Sequence, residues 1–207
     1  MKKMLTTQQK TKLLDGAIFY EILFALGVSR HNERDYCVWE HLNFSRMGHA
    51  RALIYFFESS ATSKKWDDDL VSEDFGYSAS PINISKEDSD RLNKDLFHLS
   101  SLRLRHNAKT KPWNNNVLNK VHDRVVAFIR FLLNPQGSRD YQTNNPKWQL
   151  LLEHLESGKE LMISRSTTHD GIDTGWELNQ GRALPTRLSE LTILFRIPKN
   201  VVSGLTD

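Results

Sequence analysis

Residues 114–134 read NNNVLNKVHDRVVAFIRFLLN and carry the clearest helical pattern in the chain. Apolar side chains recur there three or four positions apart, and this spacing places them on one face of an α-helix. The residues expected to face inward are Leu118, Val121, Val125, Phe128, Ile129 and Leu132. Pro135 ends the helix, since proline has no backbone N–H to donate. Because such a stripe must be covered by other apolar elements, the sequence predicts that this helix is part of a helical bundle.

Four further helices are predicted from capping signals and apolar spacing. They comprise a first helix from the capping box of Thr6 and Gln9 to Gly27, a second from about Asn32 to Ser59, a third that starts at Ser85, and a short last helix from Pro146 to Gly158. The segment 60–84 mixes Ser, Asp, Gly and Pro with scattered aromatic residues. It is predicted to be a long connection that holds a short helical turn.

The helical pattern stops after residue 158, and this predicts two regions. Residues 1–158 are expected to form an all-α domain of four or five helices. Residues 159–207 are expected to form an irregular, β-containing C-terminal tail or small appendage, in which ELMIS at 160–164 and ELTILFRI at 190–197 have strand-like composition.

The composition narrows the class of protein. Its 207 residues include 39% hydrophobic and 26% charged residues, which is ordinary for a folded domain. A single cysteine, Cys37, rules out a disulfide within one chain and a multi-cysteine zinc site. The start of the chain lacks the apolar region of a secretory signal, and the longest apolar stretch, residues 17–28, is too short to cross a bilayer. A cytoplasmic protein without a membrane segment is expected.

A basic segment at 99–121 contains no acidic residue. Its positive charges and a tryptophan ring would attract phosphates and stack on bases, which makes it the predicted RNA-binding segment. The residues concerned are Arg103, Arg105, Lys109, Lys111 and Trp113. The alternative interpretation is a solvated helix end whose basic residues complement the negative end of the third helix.

The acidic residues at 67–69, 73 and 74 would suit a hard cation, but they lack the spaced ligands and turn glycine of an EF-hand loop. A solvated, helix-capping acidic cluster is the favoured interpretation. The nucleotide-binding and hydrolase motifs based on glycine-rich spacing do not occur in the sequence. No metal site and no cofactor are predicted.

The stretch RLNKDLFHLSSLRLRH, residues 91–106, suggests chemistry of a different kind. Seven residues span about two turns of an α-helix, so Arg91, His98 and Arg105 fall on one stripe, apart from the leucines. A helix that buries its leucines would present these three side chains in a row. Arginine can hold a phosphate while histidine moves a proton, a combination that suits phosphodiester cleavage. The alternative is an ordinary polar helix face on which Asp95 hydrogen-bonds His98.

The spacing of Arg91 and His98 resembles the R-x(4 to 6)-H motif of the HEPN superfamily. The run Asn93, Lys94, Asp95, Leu96, Phe97, His98 is also similar to an N-K-x-x-A/F-H segment of related bacterial members, and there too a long helix precedes the motif helix. The resemblance covers roughly residues 5–133 and implies a HEPN-like bundle.

The resemblance also implies a function. Members of this superfamily cleave RNA without a metal, commonly in toxin or antiphage systems, with two motif helices brought together in a homodimer. Carried over, Arg91 would position the phosphate and His98 would assist proton transfer at the ribose 2'-hydroxyl. An antitoxin or defence-system protein is the expected protein partner. The alternative function is a catalytically inert helical module that senses a nucleotide or docks a partner protein.

Overall fold

The computed structural model describes residues 5–26, 36–78, 80–96, 116–134, 146–157, 161–167, 173–179 and 191–195. Its helices are α1 (Thr7–Leu13), α2 (Phe19–Leu26), α3 (Tyr36–Glu58), α4 (Lys86–Asp90), α5 (Asn116–Leu133) and α6 (Pro146–Ser157). A π-helical turn at Leu14–Ile18 joins α1 to α2, and a second π-helical turn at Arg91–Asp95 extends α4. The predicted all-α character of the N-terminal region is confirmed in these residues.

Two predicted helix starts are confirmed by their capping hydrogen bonds. The Thr6 hydroxyl accepts the backbone N–H of Gln9 at 3.2 Å, and the Gln9 side chain accepts the backbone N–H of Thr6 at 2.9 Å. The Ser85 hydroxyl accepts the N–H of Asp88 at 3.0 Å. Each bond satisfies a donor that has no partner inside the helix, so these starts are fixed by a few neighbouring residues.

The core is built around α5, and the predicted inward-facing stripe of this helix is buried throughout. The Phe128 ring makes edge-to-face contacts with Phe56 and Phe57 of α3, with centroids 5.5 and 5.4 Å away, and with Tyr77 at 5.3 Å. Aromatic pairs in this geometry add to the free energy gained by burying their area. The helix of the opening stretch therefore packs its apolar face into the core of the bundle, as its pattern predicts.

The connection between α3 and α4 contributes to this core. It contains the predicted short helical turn, a 3₁₀ helix at Ser72–Phe75, and it buries Val71, Phe75 and Ile82. The N–H of Ile82 donates to the Glu58 side chain at 2.7 Å, which ties the connection to the end of α3. These contacts hold the start of α4 against the bundle.

The C-terminal segment contains a three-stranded antiparallel sheet in the order β2-β1-β3, formed by β1 (Leu161–Thr167), β2 (Asp173–Asn179) and β3 (Leu191–Phe195). The two segments with strand-like composition are strands β1 and β3. Strand β2 was not predicted, because Gly175 and two acidic residues weaken its apolar alternation. Strands β1 and β2 lie against α6.

Candidate functional site

The first residue of the predicted motif lies where an α-helix changes to a π turn. Helix α4 continues without a break into Arg91–Asp95, and the N–H of Leu96 donates to the carbonyl of Arg91 at 3.1 Å. This is an i→i+5 bond, which closes a wider turn than the i→i+4 bond of an α-helix. Residues 86–96 thus form one helical element that widens at Arg91.

Arg91 lies in the interior and is only 8% exposed. Leu92 and Leu96 are buried beside it in the chain, whereas Asn93 and Lys94 are exposed. The prediction that Arg91 belongs to an exposed polar face is therefore wrong. The prediction assumed the constant angle per residue of an α-helix, but a π turn advances each residue by a smaller angle and so shifts the faces of the helix.

A second charged residue of the same element is also buried. Asp88 lies three residues before Arg91, at a spacing that makes side chains neighbours on a helix, and it is 6% exposed. The Ser85 hydroxyl donates to the Asp88 carboxylate at 2.8 Å. Asp88 and Arg91 therefore place residues of opposite charge in the interior of the same helical element.

The other predicted site residues lie outside the described residues. They are His98 of the motif and Arg103, Arg105, Lys109, Lys111 and Trp113 of the basic segment. The pairing of Arg91 with His98 and the predicted RNA-binding surface therefore stay predictions from the sequence.

A second arginine, which the sequence did not indicate, contacts the π turn at Arg91–Asp95. This turn is called the motif turn below. Arg51 of α3 donates from Nε to the side-chain oxygen of Asn93 at 2.8 Å. The side-chain amide of Asn93 in turn donates to the backbone carbonyl of Ser89 at 2.9 Å. Arg51 and Asn93 are 42 positions apart in the chain, so no local spacing could have indicated this contact.

A histidine and a carboxylate meet between α2 and α3. His49 Nδ1 and Glu21 Oε2 are 2.9 Å apart, and the imidazole packs on the rings of Tyr20 and Phe24 at 5.4 and 5.6 Å. The sequence analysis did not single out this pair, because its members come from different helices. In this environment the pair is a polar link between α2 and α3, flanked by aromatic side chains.

Arg46 links the same two helices. Its Nε donates to the backbone carbonyl of Ala25 at 3.3 Å, near the end of α2 where carbonyls lack partners inside the helix. Burial lowers the pKa of Arg46 to about 10, since an apolar surrounding disfavours the charged form. The guanidinium is still protonated at neutral pH, and it complements the negative end of the α2 dipole.

The acidic residues of the connection are engaged in local hydrogen bonds. The Asp69 carboxylate accepts the N–H of Trp66 at 3.0 Å, Asp74 accepts the N–H of Val71 at 3.0 Å, and Glu73 accepts from Ala61 at 2.7 Å. Across the described parts of the chain, His, Cys, Asp and Glu side chains form no group of three or more that could hold a metal ion. The favoured interpretation of a helix-capping acidic cluster agrees with the Asp74 contact, because Val71 is the N-cap residue of the 3₁₀ helix.

In the described ranges, no helix combines the length and the apolar character needed to cross a membrane.

No family model, curated protein or solved structure matches this chain. The resemblance to the HEPN superfamily thus rests on the motif residues of the sequence alone.

Proposed function

We propose that the chain is a HEPN-like bundle that acts as a metal-independent endoribonuclease of the toxin or antiphage-defence type in the cytoplasm. Arg91 holds the scissile phosphate, His98 transfers a proton, and the basic segment at 99–121 binds the flanking RNA. The observation that carries the proposal is the π turn at Arg91–Asp95. Such turns inside α-helices occur frequently at functional sites, and this one coincides with the first residue of the motif.

In the proposed reaction the ribose 2'-oxygen is the nucleophile. His98 accepts the 2'-hydroxyl proton while the 2'-oxygen forms a bond to phosphorus and the bond from phosphorus to the 5'-oxygen breaks. The departing 5'-oxygen takes up a proton, so the products are a 2',3'-cyclic phosphate and a 5'-hydroxyl. Arg91 stays charged throughout and stabilises the negative charge that develops on the phosphate oxygens.

Purified protein is expected to cleave single-stranded RNA equally well with and without EDTA, since His98 and Arg91 supply the chemistry without a metal. A DNA strand of the same sequence is expected to resist, because it lacks the attacking hydroxyl. Gel separation of end-labelled strands measures both results. Loss of RNA cleavage in EDTA, or equal cleavage of DNA, would contradict the mechanism.

The burial of Arg91 favours one alternative function. A guanidinium that is 8% exposed can serve to hold the turn in place, and the chain would then be a catalytically inert module that senses a nucleotide or docks a partner protein. The same assay separates the two functions. A module of this kind leaves RNA intact even when its partner proteins are present.

We expect the active form to be a homodimer, because one motif helix offers few groups to hold and cleave a phosphodiester, whereas a two-fold axis duplicates each of them. Light scattering at tens of micromolar is expected to give twice the monomer mass of 24.0 kDa. The monomer mass under these conditions would contradict the prediction. An antitoxin or defence-system protein would act on this assembly as its protein partner.

A further inference from the structure

We propose that the motif turn is a conformational switch that determines whether Arg91 is buried or presented to RNA. The inference rests on the proposed function, since it concerns how the phosphate-binding residue of that site becomes available. In the closed form, which the structure shows, the turn is π-helical and Arg91 is 8% exposed. In the open form the same residues are α-helical and the Arg91 guanidinium faces solvent.

The backbone hydrogen bond of the turn accounts for the burial of Arg91. In a helix, each residue lies almost directly above the residue whose carbonyl accepts its N–H. The N–H of Leu96 donates to the carbonyl of Arg91, so Leu96, which is 7% exposed, lies above Arg91 on the buried face. In an α-helix five residues turn by about 500°, which would place Leu96 about 140° around the axis from Arg91.

The change to the α register is a local exchange of hydrogen bonds. The N–H of Leu96 transfers from the carbonyl of Arg91 to that of Leu92, the next residue in the chain. Leu92 and Leu96 belong to the core, and at a spacing of four they share one face of an α-helix. When both leucines stay in the core, α4 rotates relative to them and carries Arg91 away from the buried face.

The rotation has both a cost and a gain. Arg91 has interactions with other residues in the closed form, and their loss favours this form in the absence of RNA. Asp88 and Arg91 are both buried charged residues, and the rotation moves both toward water, which is favourable for charged groups. The two forms are therefore close enough in free energy for a bound phosphate to select the open one.

Asn93 holds the turn in the π register. Its side-chain amide donates to the backbone carbonyl of Ser89 in α4 at 2.9 Å, so this bond joins the two parts that rotate against each other. Its side-chain oxygen accepts from Arg51 Nε of α3 at 2.8 Å, which ties the turn to a neighbouring helix. Arg51 has a further interaction besides this one, so its guanidinium serves as an anchor for Asn93.

Modification by phenylglyoxal, an arginine-selective reagent, measures the exposure of Arg91 without RNA and without catalysis. Mass spectrometry of the digested protein follows each arginine separately. Asn93→Ala removes both bonds of the Asn93 side chain and is expected to increase the rate of Arg91 modification about tenfold, as for the net loss of one or two hydrogen bonds. Arg130, whose side chain is 64% exposed, is the internal standard and is expected to react equally in every variant.

Lys94→Ala is the matched control, because Lys94 is the exposed neighbour of Asn93 in the same turn. Its pair with Asp90 at 3.1 Å joins two exposed side chains and contributes little, so Arg91 is expected to stay protected in this variant. Each variant must show wild-type melting before its rates are compared. Equal protection of Arg91 in a folded Asn93→Ala protein and in the wild type would overturn the proposal.

Deletion of Lys94 is expected to lock the switch in its closed form. A π turn holds one residue more than the α-helical turn it replaces, so the deletion lets Leu96 bond to the Arg91 carbonyl in regular α-helical geometry and keeps Arg91 beneath it. Arg91 is expected to stay protected, and adding Asn93→Ala to the deletion is expected to leave it protected. Exposure of Arg91 in the shortened protein would overturn the proposal, whether or not Asn93→Ala alone is folded.

Cleavage assays on the same variants separate the switch from the proposed function. The shortened protein keeps Arg91 and His98 within the R-x(4 to 6)-H spacing, yet it is expected to cleave RNA at least about tenfold more slowly, in proportion to the lost open form. Wild-type cleavage by this protein would overturn the switch and leave the ribonuclease proposal in place. The expected modification pattern without cleavage by any variant would support the change of register and overturn the ribonuclease proposal.

Discussion

His98→Ala is expected to lower RNA cleavage by about two to four orders of magnitude, the usual effect of removing a general acid or base. The imidazole is the group in the motif that can exchange a proton near neutral pH, and an alanine leaves the 2'-hydroxyl without an acceptor. Initial rates of cleavage of an end-labelled RNA measure the loss. Binding of a 2'-O-methylated RNA strand, which cannot be cut by attack of its 2'-oxygen, is expected to change little, because the proton transfer belongs to the chemical step.

Variants of Arg91 are tested in the same cleavage assay. Arg91→Ala is also expected to impair cleavage, and Arg91→Lys is expected to restore it only in part, since a point charge cannot reproduce the forked donors. Because Arg91 is buried, its replacement can also affect stability, so each variant must first show wild-type melting. Wild-type cleavage by a folded His98→Ala protein would leave His98 as helix surface and favour the binding module.

Trp148→Ala is expected to destabilise the fold by about 3–5 kcal/mol, the usual cost of removing a large side chain from a core. Trp148 is fully buried in α6, and its ring makes an edge-to-face contact with Phe19 of α2 at 5.2 Å. Its indole N–H donates to the Asp15 carboxylate at 2.7 Å. Removal of the ring therefore opens a cavity and leaves the Asp15 carboxylate without this donor.

Urea unfolding followed by circular dichroism measures this effect. Trp66→Ala is the matched control, because the same substitution is made at a side chain that is 63% exposed, and it is expected to change stability by about 0.5 kcal/mol or less. Trp148→Phe keeps a ring but loses the N–H, and it is expected to fall between the two. Equal midpoints for Trp148→Ala and Trp66→Ala would contradict the assignment of Trp148 to the core.

Local structure around Trp148 could be predicted from the sequence, whereas its contacts with distant residues could not. The position of Trp148 in a short amphipathic helix after Pro146 follows from local spacing. Its bond to Asp15 does not, because the two residues are 133 positions apart. The sequence shows that α6 has an apolar face, whereas the packing of the bundle selects which helix covers it.

At the candidate site too, some features were predicted from the sequence and others were not. The Ser85 cap and the burial of Leu92 and Leu96 were predicted correctly, since both depend on residues within one or two turns. The burial of Arg91 was not predicted, because periodicity assumes a regular α-helix and the π turn breaks this assumption.

The sequence by itself determined the helices whose caps and apolar stripes are local, above all α5, because their hydrogen bonds and periodicity are specified by residues a few positions apart. The tertiary structure alone decided which side chains meet across helices: Glu21 with His49, and Arg51 with Asn93. Such contacts depend on the relative placement of whole helices, and that placement is set by the burial of their apolar faces together. The contact of Arg51 with the π turn at Arg91–Asp95 was therefore decided by the tertiary structure.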